Sequence, residues 1–176
     1  MLVYMIRHGQ STANRDGVLS GQMQWPLSDL GIEQARQVDE RLRAVTDFDR
    51  IYVSDLLRTR QTFEHAFGPV EHTLSPLIRE IDIPFAGLSK AEALARHGEA
   101  FTRAMEGLEF ADFGGESQAQ VIERVLAFRS LLEQEKDAQH VAVVPRRHHP
   151  HLHGHHSGRH AQRSEAAHRQ LLGLGI

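Results

Sequence analysis

The short apolar run Leu2–Ile6, which ends at once in Arg7-His8-Gly9, constrains the fold of this chain more than any other feature. A run of this length that contains Val, Tyr and Ile is typical of a buried β-strand. Open α/β sheets bind their ligands beyond the carboxyl ends of their strands, where these polar residues would lie. Arginine presents a planar fork of donors to phosphate, and a neutral imidazole can attack phosphorus. The segment therefore predicts a phosphate site around His8, although a solvated arginine beside a structural histidine would give the same pattern.

The rest of the chain alternates between strand-like and helix-like patterns. Three strand-like stretches rich in β-branched residues, the third less regular, lie at 50–54, 140–144 and 74–83. Four stretches with apolar residues at helical spacing lie at 28–45, 55–67, about 90–96 and 118–134. We expect residues 14–25 to form a loop and residues 98–113 to form a polar segment with a short helix. Strands that alternate with helices predict a three-layer α/β/α fold with a mostly parallel sheet.

Charge is distributed unevenly between the first 144 residues and the remainder. The stretch from Pro145 onward holds five arginines and one glutamate, a charge of +4, so residues 1–144 carry −7 of the total of −3. An acidic domain lacks the basic surface that nucleic-acid binding requires. No apolar run approaches the ~18 residues of a membrane span, no signal peptide is recognisable, and the chain has no cysteine. We therefore expect a cytoplasmic protein with a small-molecule substrate and no nucleic-acid or membrane partner; the oligomeric state stays open.

Arg7-His8-Gly9, followed by Ser11 and Asn14, resembles the opening motif of the histidine phosphatase superfamily, which has the phosphoglycerate-mutase-like fold. Further stretches resemble family signatures in the expected order, and they lie at 26–35, 54–62, 77–87 and 114–125. The resemblance covers roughly residues 2 to 144. It implies a phosphoryl-transfer enzyme that needs no metal and no cofactor, and in which a histidine carries the phosphate.

The resemblance assigns the phosphate-binding residues one by one. His8 corresponds to the nucleophile, and Arg7 corresponds to a cation that binds the phosphate. Asn14, Ser20 and Gly21 match positions that contact the substrate phosphate in the family. Without the resemblance, these last three would be interpreted as ordinary loop residues.

Arg58 and Glu80 are the candidate catalytic residues from later in the chain. Arg58 lies one turn into the helix that follows the second strand, so it can point to the same crevice as His8 from a helix N-terminus, where anions are favoured. Glu80 matches the family's general acid, which protonates the leaving oxygen and must itself be protonated near neutral pH. Asp82 is the alternative carboxylate, and both acids would also suit a solvated loop. Arg60, in contrast, is expected on an exposed helix face.

The chain departs from the family directly after its last predicted strand. The family has His-Gly-Gly there, with a second histidine that contacts the phosphoryl oxygens, whereas this chain has Pro145-Arg146-Arg147 and then eight of its 13 histidines. A one-base shift of codons for Pro-Arg-Arg-His-His-Pro-His can spell His-Gly-Gly-Thr-Ile-Arg. We therefore hypothesise that the sequence from about residue 145 is a frameshifted product; the alternative is a histidine-rich metal-binding segment. An ordered functional tail is the third alternative. We predict a domain at 1–144 that is incomplete at its C-terminus, followed by a disordered tail at 145–176.

These observations predict a phosphomonoester hydrolase that acts through a phosphohistidine on a small phosphorylated metabolite, and that is impaired without the second histidine. Three alternatives stay open: phosphoglycerate-mutase-type transfer, a non-catalytic phosphate-binding module and a metal binder that uses the tail. The short acid-bearing segment favours the phosphatase. Sugar phosphates, nucleotide-derived phosphates, nucleotide-loop intermediates of cobalamin synthesis and phosphoproteins are all candidate substrates.

Overall fold

A parallel sheet forms the centre of the protein. The computed structural model describes residues 1–43 and 47–145. The strands of this described part are β1 (Leu2–Met5), β2 (Arg50–Val53), β3 (Thr73–Leu74) and β4 (His140–Val144). They pair in the order β1-β4-β2-β3, and every pair is parallel. The α/β fold with a parallel sheet is therefore confirmed, and β4, the last of these four strands in sequence, lies between β1 and β2.

The helices follow the strands as the alternation predicted, with two differences. They are α1 (Thr12–Arg15), α2 (Asp29–Arg43), α3 (Leu57–Phe67), α4 (Lys90–Gly107) and α5 (Gln118–Gln134). The expected loop at 14–25 begins two residues late, because α1 extends to Arg15; Ser11 and Asn14 form a capping box at the N-terminus of this helix. The helix predicted at about 90–96 and the short helix predicted within 98–113 join at a kink, because Gly98 has a non-helical backbone (φ 56°) inside α4. Phe101 and Ala104, beyond the kink, are buried in a core. None of the described helices combines the length and the apolar character that crossing a bilayer requires.

The two faces of the sheet are covered by different helices. On one face, Val143 of β4 lies in an apolar cluster with Phe128 and Leu132 of α5. On the other face, Val144 lies in a cluster with Phe63 of α3, against which side chains of α2 also pack. Successive residues of a strand point to opposite faces, so the unbroken apolar run of β4 supplies both cores. This arrangement confirms the three layers.

Strand β1 is less buried than its sequence predicts. Leu2, Val3 and Met5 are 57%, 37% and 61% exposed, whereas Ile6, just after the strand, is buried. In the described part of the chain, β1 is the edge of the sheet and pairs with β4 alone. The prediction of a fully buried strand is therefore wrong for these three residues, because an apolar run does not reveal whether its strand has one neighbour or two.

The extended segment predicted at 74–83 is mostly not a strand. Strand β3 contains two residues, and a 3₁₀ turn at Pro76–Ile78 follows. Proline lacks the amide donor that a strand ladder needs, which ends the pairing there. The irregular chain beyond this turn is anchored by Ile81, Ile83 and Phe85, which are buried in a third apolar cluster with side chains of α4 and α5. Of the predicted tail at 145–176, only Pro145 belongs to the described residues.

Candidate active site

The turn after β1 lies directly against the beginning of α2. A Cβ atom on Gly9 would lie 2.2 Å from the carbonyl oxygen of Gly31, and one on Gly31 would lie 2.1 Å from that of Gln10. Such distances leave no room for a side chain, so glycine is required on both sides of this contact. Ser28 caps α2: its hydroxyl accepts a hydrogen bond from Gly31 N (3.1 Å), and its own amide donates to Gln10 O (2.9 Å). The backbone itself therefore fixes the turn that holds the predicted nucleophile.

His8 is buried in this turn, with 5% of its surface exposed. Its Nδ1 lies 2.6 Å from the carbonyl oxygen of Gly9. A carbonyl oxygen can only accept, so Nδ1 must carry the proton of this bond, and in the neutral ring the lone pair is then on Nε2. The ring lines a cavity of about 410 Å³, a size that suits a small ligand. The residues that line this cavity are Arg7, His8, Gly9, Gln10, Asn14, Gln34 and Val38.

Arg7 and Asn14 line the same cavity as His8, and both are exposed. The amide oxygen of Asn14 accepts hydrogen bonds from the backbone amide (3.2 Å) and the hydroxyl (3.0 Å) of Ser11. The donor nitrogen of the same amide group is consequently on the side away from Ser11. An anion requires donors, so this orientation is compatible with a phosphate ligand.

Arg58 is fully buried in the first turn of α3. One terminal nitrogen donates to Gly21 O (2.9 Å) and to the Glu80 carboxylate (3.1 Å), and the other donates to Met23 O (3.0 Å). Its Nε is buried without a hydrogen-bond partner among the described residues. Burial lowers the pKa of Arg58 to about 10, so the side chain is still a cation at neutral pH. A buried cation with one unsatisfied donor is well suited to an anionic ligand.

The structure thus brings the candidate residues into two groups. Arg7, His8 and Asn14 line one cavity, and Arg58, Gly21 and Glu80 are joined by direct hydrogen bonds. Thr62 connects the groups, which sequence reasoning did not detect. Its hydroxyl accepts from Gly9 N (3.1 Å) and donates to the carbonyl oxygen of Arg58 one turn earlier in α3 (2.7 Å).

Ser20 is buried, and its side chain joins neither of the two groups. It is 3% exposed, and its hydroxyl has no hydrogen-bond partner in the described part of the chain. Gly21, the next residue, has a positive φ of 47°, and a Cβ there would lie 2.9 Å from Ile83 O. Glycine therefore allows this loop to approach the acid-bearing segment closely.

The segment that carries Glu80 is held by Arg124 of α5. The Arg124 side chain donates to three backbone carbonyl oxygens within residues 77–80, those of Leu77 (2.9 Å), Arg79 (2.8 Å) and Glu80 (3.0 Å). It also forms a two-pronged ion pair with Glu116 through Nε (2.8 Å) and a terminal nitrogen (3.0 Å). Both residues lie in the stretch 114–125, which resembles a family signature, but the sequence gave them no role.

Glu116 completes this clamp from the other side. Its carboxylate accepts from the backbone amide of Asp82 (2.8 Å) and from the side chain of Gln22 (3.2 Å). Burial would raise the pKa of Glu116, but the hydrogen bonds from Arg124, Asp82 and Gln22 outweigh it and lower the pKa below its ordinary value. Between the two candidate acids, the carboxylate of Glu80 contacts the buried arginine, whereas Asp82 enters the network through its backbone.

In the part of the chain that the structure describes, His, Asp and Glu side chains form no cluster that could hold a metal ion. The histidines after residue 145 lie outside the described residues. The frameshift hypothesis and the metal-binding alternative therefore both remain predictions.

Comparisons with known proteins agree on one family. The sequence model of the histidine phosphatase superfamily (branch 1) matches residues 3–150. A probable phosphoglycerate mutase, GpmB of Salmonella choleraesuis (strain SC-B67), is 34% identical over 137 residues, which are 74% of this chain and 63% of that protein. The chain therefore spans less than two thirds of the length of this relative.

Solved structures give the same result at the level of the fold. The α-ribazole phosphatase of Shigella flexneri has a TM-score of 0.75 at 25% identity, with 83% of this chain and 74% of that chain covered. A mycobacterial glucosyl-3-phosphoglycerate phosphatase in complex with VO3 has a TM-score of 0.70 at 26% identity, with 81% and 74% covered. These similar structures are phosphatases, whereas the curated relative is named as a mutase.

Proposed function

Because this chain belongs to the histidine phosphatase superfamily, we propose that it hydrolyses phosphomonoesters of small metabolites through a phosphohistidine on His8. The observation that carries this proposal is the 2.6 Å bond from His8 Nδ1 to Gly9 O. This bond keeps the proton on Nδ1, so Nε2 has the lone pair that a nucleophile needs. The imidazole also lines a cavity next to Arg7, a cation that can attract the phosphate.

In the first step, Nε2 of His8 attacks phosphorus in line, the P–N bond forms and the bond to the leaving oxygen breaks. Arg7 and Arg58 stabilise the negative charge on the phosphoryl oxygens, and Asn14 adds an amide donor. Glu80 transfers its proton to the leaving alkoxide, which departs as the alcohol.

In the second step, a water molecule gives a proton to the Glu80 carboxylate and attacks phosphorus. The P–N bond breaks, inorganic phosphate leaves and His8 returns to its starting form.

In the free protein, Glu80 is paired with Arg58 at 3.1 Å. A bound phosphate competes for the same guanidinium, and the loss of a cationic partner favours the protonated carboxyl group that the first step requires. Ser20 and Gly21, in the loop that contacts Arg58, are the proposed further contacts of the phosphate.

The activity is expected to be reduced because the family's His-Gly-Gly is replaced by Pro145-Arg146-Arg147. Loss of one preorganised phosphate contact costs on the order of 10²-fold in rate. Replacement of these three residues by His-Gly-Gly should therefore raise the hydrolysis rate by about 10²-fold. If the rate is unchanged, the missing histidine does not limit this chain.

Phosphoglycerate-mutase activity is the second candidate, and the similarity to a probable phosphoglycerate mutase supports it. A mutase returns the phosphoryl group to a hydroxyl, whereas a phosphatase passes it to water. Incubation with a phosphoglycerate followed by ³¹P NMR separates the two activities. Inorganic phosphate as the product supports the phosphatase, and an isomeric phosphoglycerate supports the mutase.

Trapping of the covalent intermediate tests the proposal directly. The full chain is mixed with a ³²P-labelled phosphate ester and quenched in base, in which phosphohistidine survives. We expect label on the parent chain and on the control His65→Ala, an exposed position of α3, and no label on His8→Ala. Label on His8→Ala would show that the nucleophile is misassigned. Phosphate binding without label or turnover would instead indicate a non-catalytic binding module.

Substrate identity can be addressed with a panel of esters. The similar phosphatases suggest α-ribazole 5′-phosphate and glucosyl-3-phosphoglycerate as its first members. Sugar phosphates and nucleotide-derived phosphates complete the panel. The ester with the highest kcat/KM identifies the substrate class.

A further inference from the structure

We propose that Arg124 and Glu116 are positioning residues that place the carboxyl group of Glu80 against the leaving oxygen. The inference rests on the proposed function, in which Glu80 is the general acid. The residues around Glu80 belong to no helix or strand, so no backbone ladder fixes where this segment lies. Side chains from other parts of the chain must fix it instead.

Arg124 is able to do so because all three nitrogens of its guanidinium group are engaged. Nε and one terminal nitrogen hold Glu116, while the terminal nitrogens together bind three backbone carbonyl oxygens within 77–80. The pair is largely buried, with side-chain exposures of 14% and 21%. A planar guanidinium group in a site with little water has one favourable orientation. Arg124 therefore holds residues 77–80 in a fixed position relative to α5. A lysine could neutralise Glu116, but it could not hold three carbonyl groups in fixed directions.

Glu116 fixes the far end of the same segment by pairing with Asp82 in both directions. The amide of Glu116 donates to Asp82 O (3.1 Å), and the amide of Asp82 donates to the Glu116 carboxylate (2.8 Å). A Cβ on the preceding Gly115 would lie 2.5 Å from Asp82 O. The absence of a side chain at this glycine permits the close approach.

Gln22 links the clamp to the proposed phosphate loop. Its side-chain nitrogen donates to Glu80 O (3.0 Å) and to the Glu116 carboxylate (3.2 Å). It directly follows Gly21, whose carbonyl oxygen accepts from Arg58. The acid segment and the buried Arg58 are therefore both hydrogen-bonded to the loop that contains Gly21 and Gln22. A displacement of about 1 Å between Glu80 and Arg58 would lower the rate on the order of 10²-fold.

Alkyl and aryl phosphate esters differ in how much their leaving groups need a proton. The ratio of their hydrolysis rates is therefore a measurement that a merely structural role of Arg124 would not change. The alkoxide of glycerol phosphate needs a proton in order to leave, whereas p-nitrophenolate leaves without one. A misplaced general acid should therefore slow the alkyl ester and spare the aryl ester. A general loss of folded protein would lower both rates by the same factor.

The experiment measures single turnovers with the full chain in excess over each ³²P-labelled ester, so that even a slow enzyme reports its first step. We expect Arg124→Met to lower the glycerol phosphate rate at least about 10-fold more than the p-nitrophenyl phosphate rate. The matched control is Arg129→Met on the same helix, where the side chain is 72% exposed and pairs with Glu133 at the surface. This control should leave the ratio of the two rates unchanged.

Arg124→Lys replaces Arg124→Met in the experiment if the methionine variant does not fold. It should lower the ratio of the glycerol phosphate rate to the p-nitrophenyl phosphate rate by a smaller factor. Equal losses on both esters would overturn the positioning role. The double variant with Glu80→Gln should show no further change in the ratio beyond that of Glu80→Gln alone, because the clamp would then have no acid to place.

The single variants Glu80→Gln and Arg124→Met together separate failure of this inference from failure of the proposed function. If Glu80→Gln lowers the ratio and Arg124→Met does not, the positioning role alone is wrong. If Glu80→Gln leaves the ratio unchanged, or if the parent chain cleaves neither ester, the proposed function fails and this inference fails with it.

Discussion

The turn that carries His8 and the segment that carries Glu80 are held in place by different means. The turn follows a strand and is fixed by backbone contacts between two glycines, and His8 bonds to its own neighbour in the chain. The acid segment is fixed by side chains of Gln22, Arg58 and Arg124, which are 58, 22 and 44 residues away from Glu80 in the sequence. A local motif specifies the first region, and a long-range network specifies the second.

This difference predicts how each region tolerates change. At the turn, one residue should carry the effect, and its loss should slow every ester. In the acid segment, several residues should share the effect, their substitutions should not add, and the loss should depend on the leaving group.

The largest effect is expected at the turn. His8→Ala should lower kcat/KM for both p-nitrophenyl phosphate and glycerol phosphate by about 10⁴-fold or more, because the nucleophile is lost for every substrate. Steady-state assays on both esters give the measurement. His65→Ala should retain the parent activity. A loss confined to one ester would remove the distinction between the two regions.

The next largest effect is expected at Glu80. Glu80→Gln should lower the rate on glycerol phosphate by about 10²- to 10⁴-fold and have much less effect on p-nitrophenyl phosphate. Asp82→Asn is the matched control, since Asp82 joins the network through its backbone amide. If the asparagine variant shows the larger loss on the alkyl ester, Asp82 is the acid.

Arg58 is where the two regions meet, and its effect should lie below that of Glu80 on alkyl esters. Arg58→Met should cost about 10²- to 10³-fold on both esters, because a preorganised cation is lost from the phosphate site. Arg60→Met is the control, since Arg60 is exposed on the same helix as predicted. Inhibition by inorganic phosphate should weaken in the Arg58 variant and persist in the control.

Gly9→Ala tests the backbone contact that fixes the turn. The new methyl group would lie 2.2 Å from Gly31 O, and the strain should lower the free energy of unfolding by about 1–3 kcal/mol. Gly107→Ala at the end of α4 is the control, because its Cβ would meet only Glu109 Cβ at 3.7 Å. Urea titrations of both variants give the comparison. Equal stability of the two would show that the turn can move.

The smallest effect is expected from the protonation of Glu116. Its pKa is lower in the folded protein than the ordinary value of 4.5, so the unfolded chain takes up a proton first as the pH falls. The stabilisation is complete above that ordinary value and is lost as the pH falls through the lowered folded pKa. Glu116→Gln should therefore be less stable than the parent at about pH 7, and the difference in stability should shrink as the pH falls below 4.5. Urea midpoints at several pH values measure it; a constant difference would contradict the assignment.

Sequence reasoning predicted the sheet and its flanking helices because their signals are local. The β-branched stretch at 140–144 predicted the strand β4, and the apolar residues at helical spacing within 28–45 predicted the helix α2. The burial of Phe101 beyond the kink at Gly98 could not be predicted, since it depends on a core assembled from distant segments. The exposure of β1 could not be predicted either, because the sequence of a single strand does not indicate whether that strand lies at the edge or in the interior of the sheet.

At the candidate site, the sequence by itself determined which residue types are present and the order in which the motifs occur, including His8, Arg58 and Glu80. Only the tertiary structure decided that Arg58 and Glu80 lie 3.1 Å apart, and that Arg124, Glu116 and Gln22 hold the acid segment. The physical reason is the range of the interactions. A turn or a helix cap depends on residues within a few positions of one another, whereas these hydrogen bonds join parts of the chain that become neighbours only when the hydrophobic cores have formed.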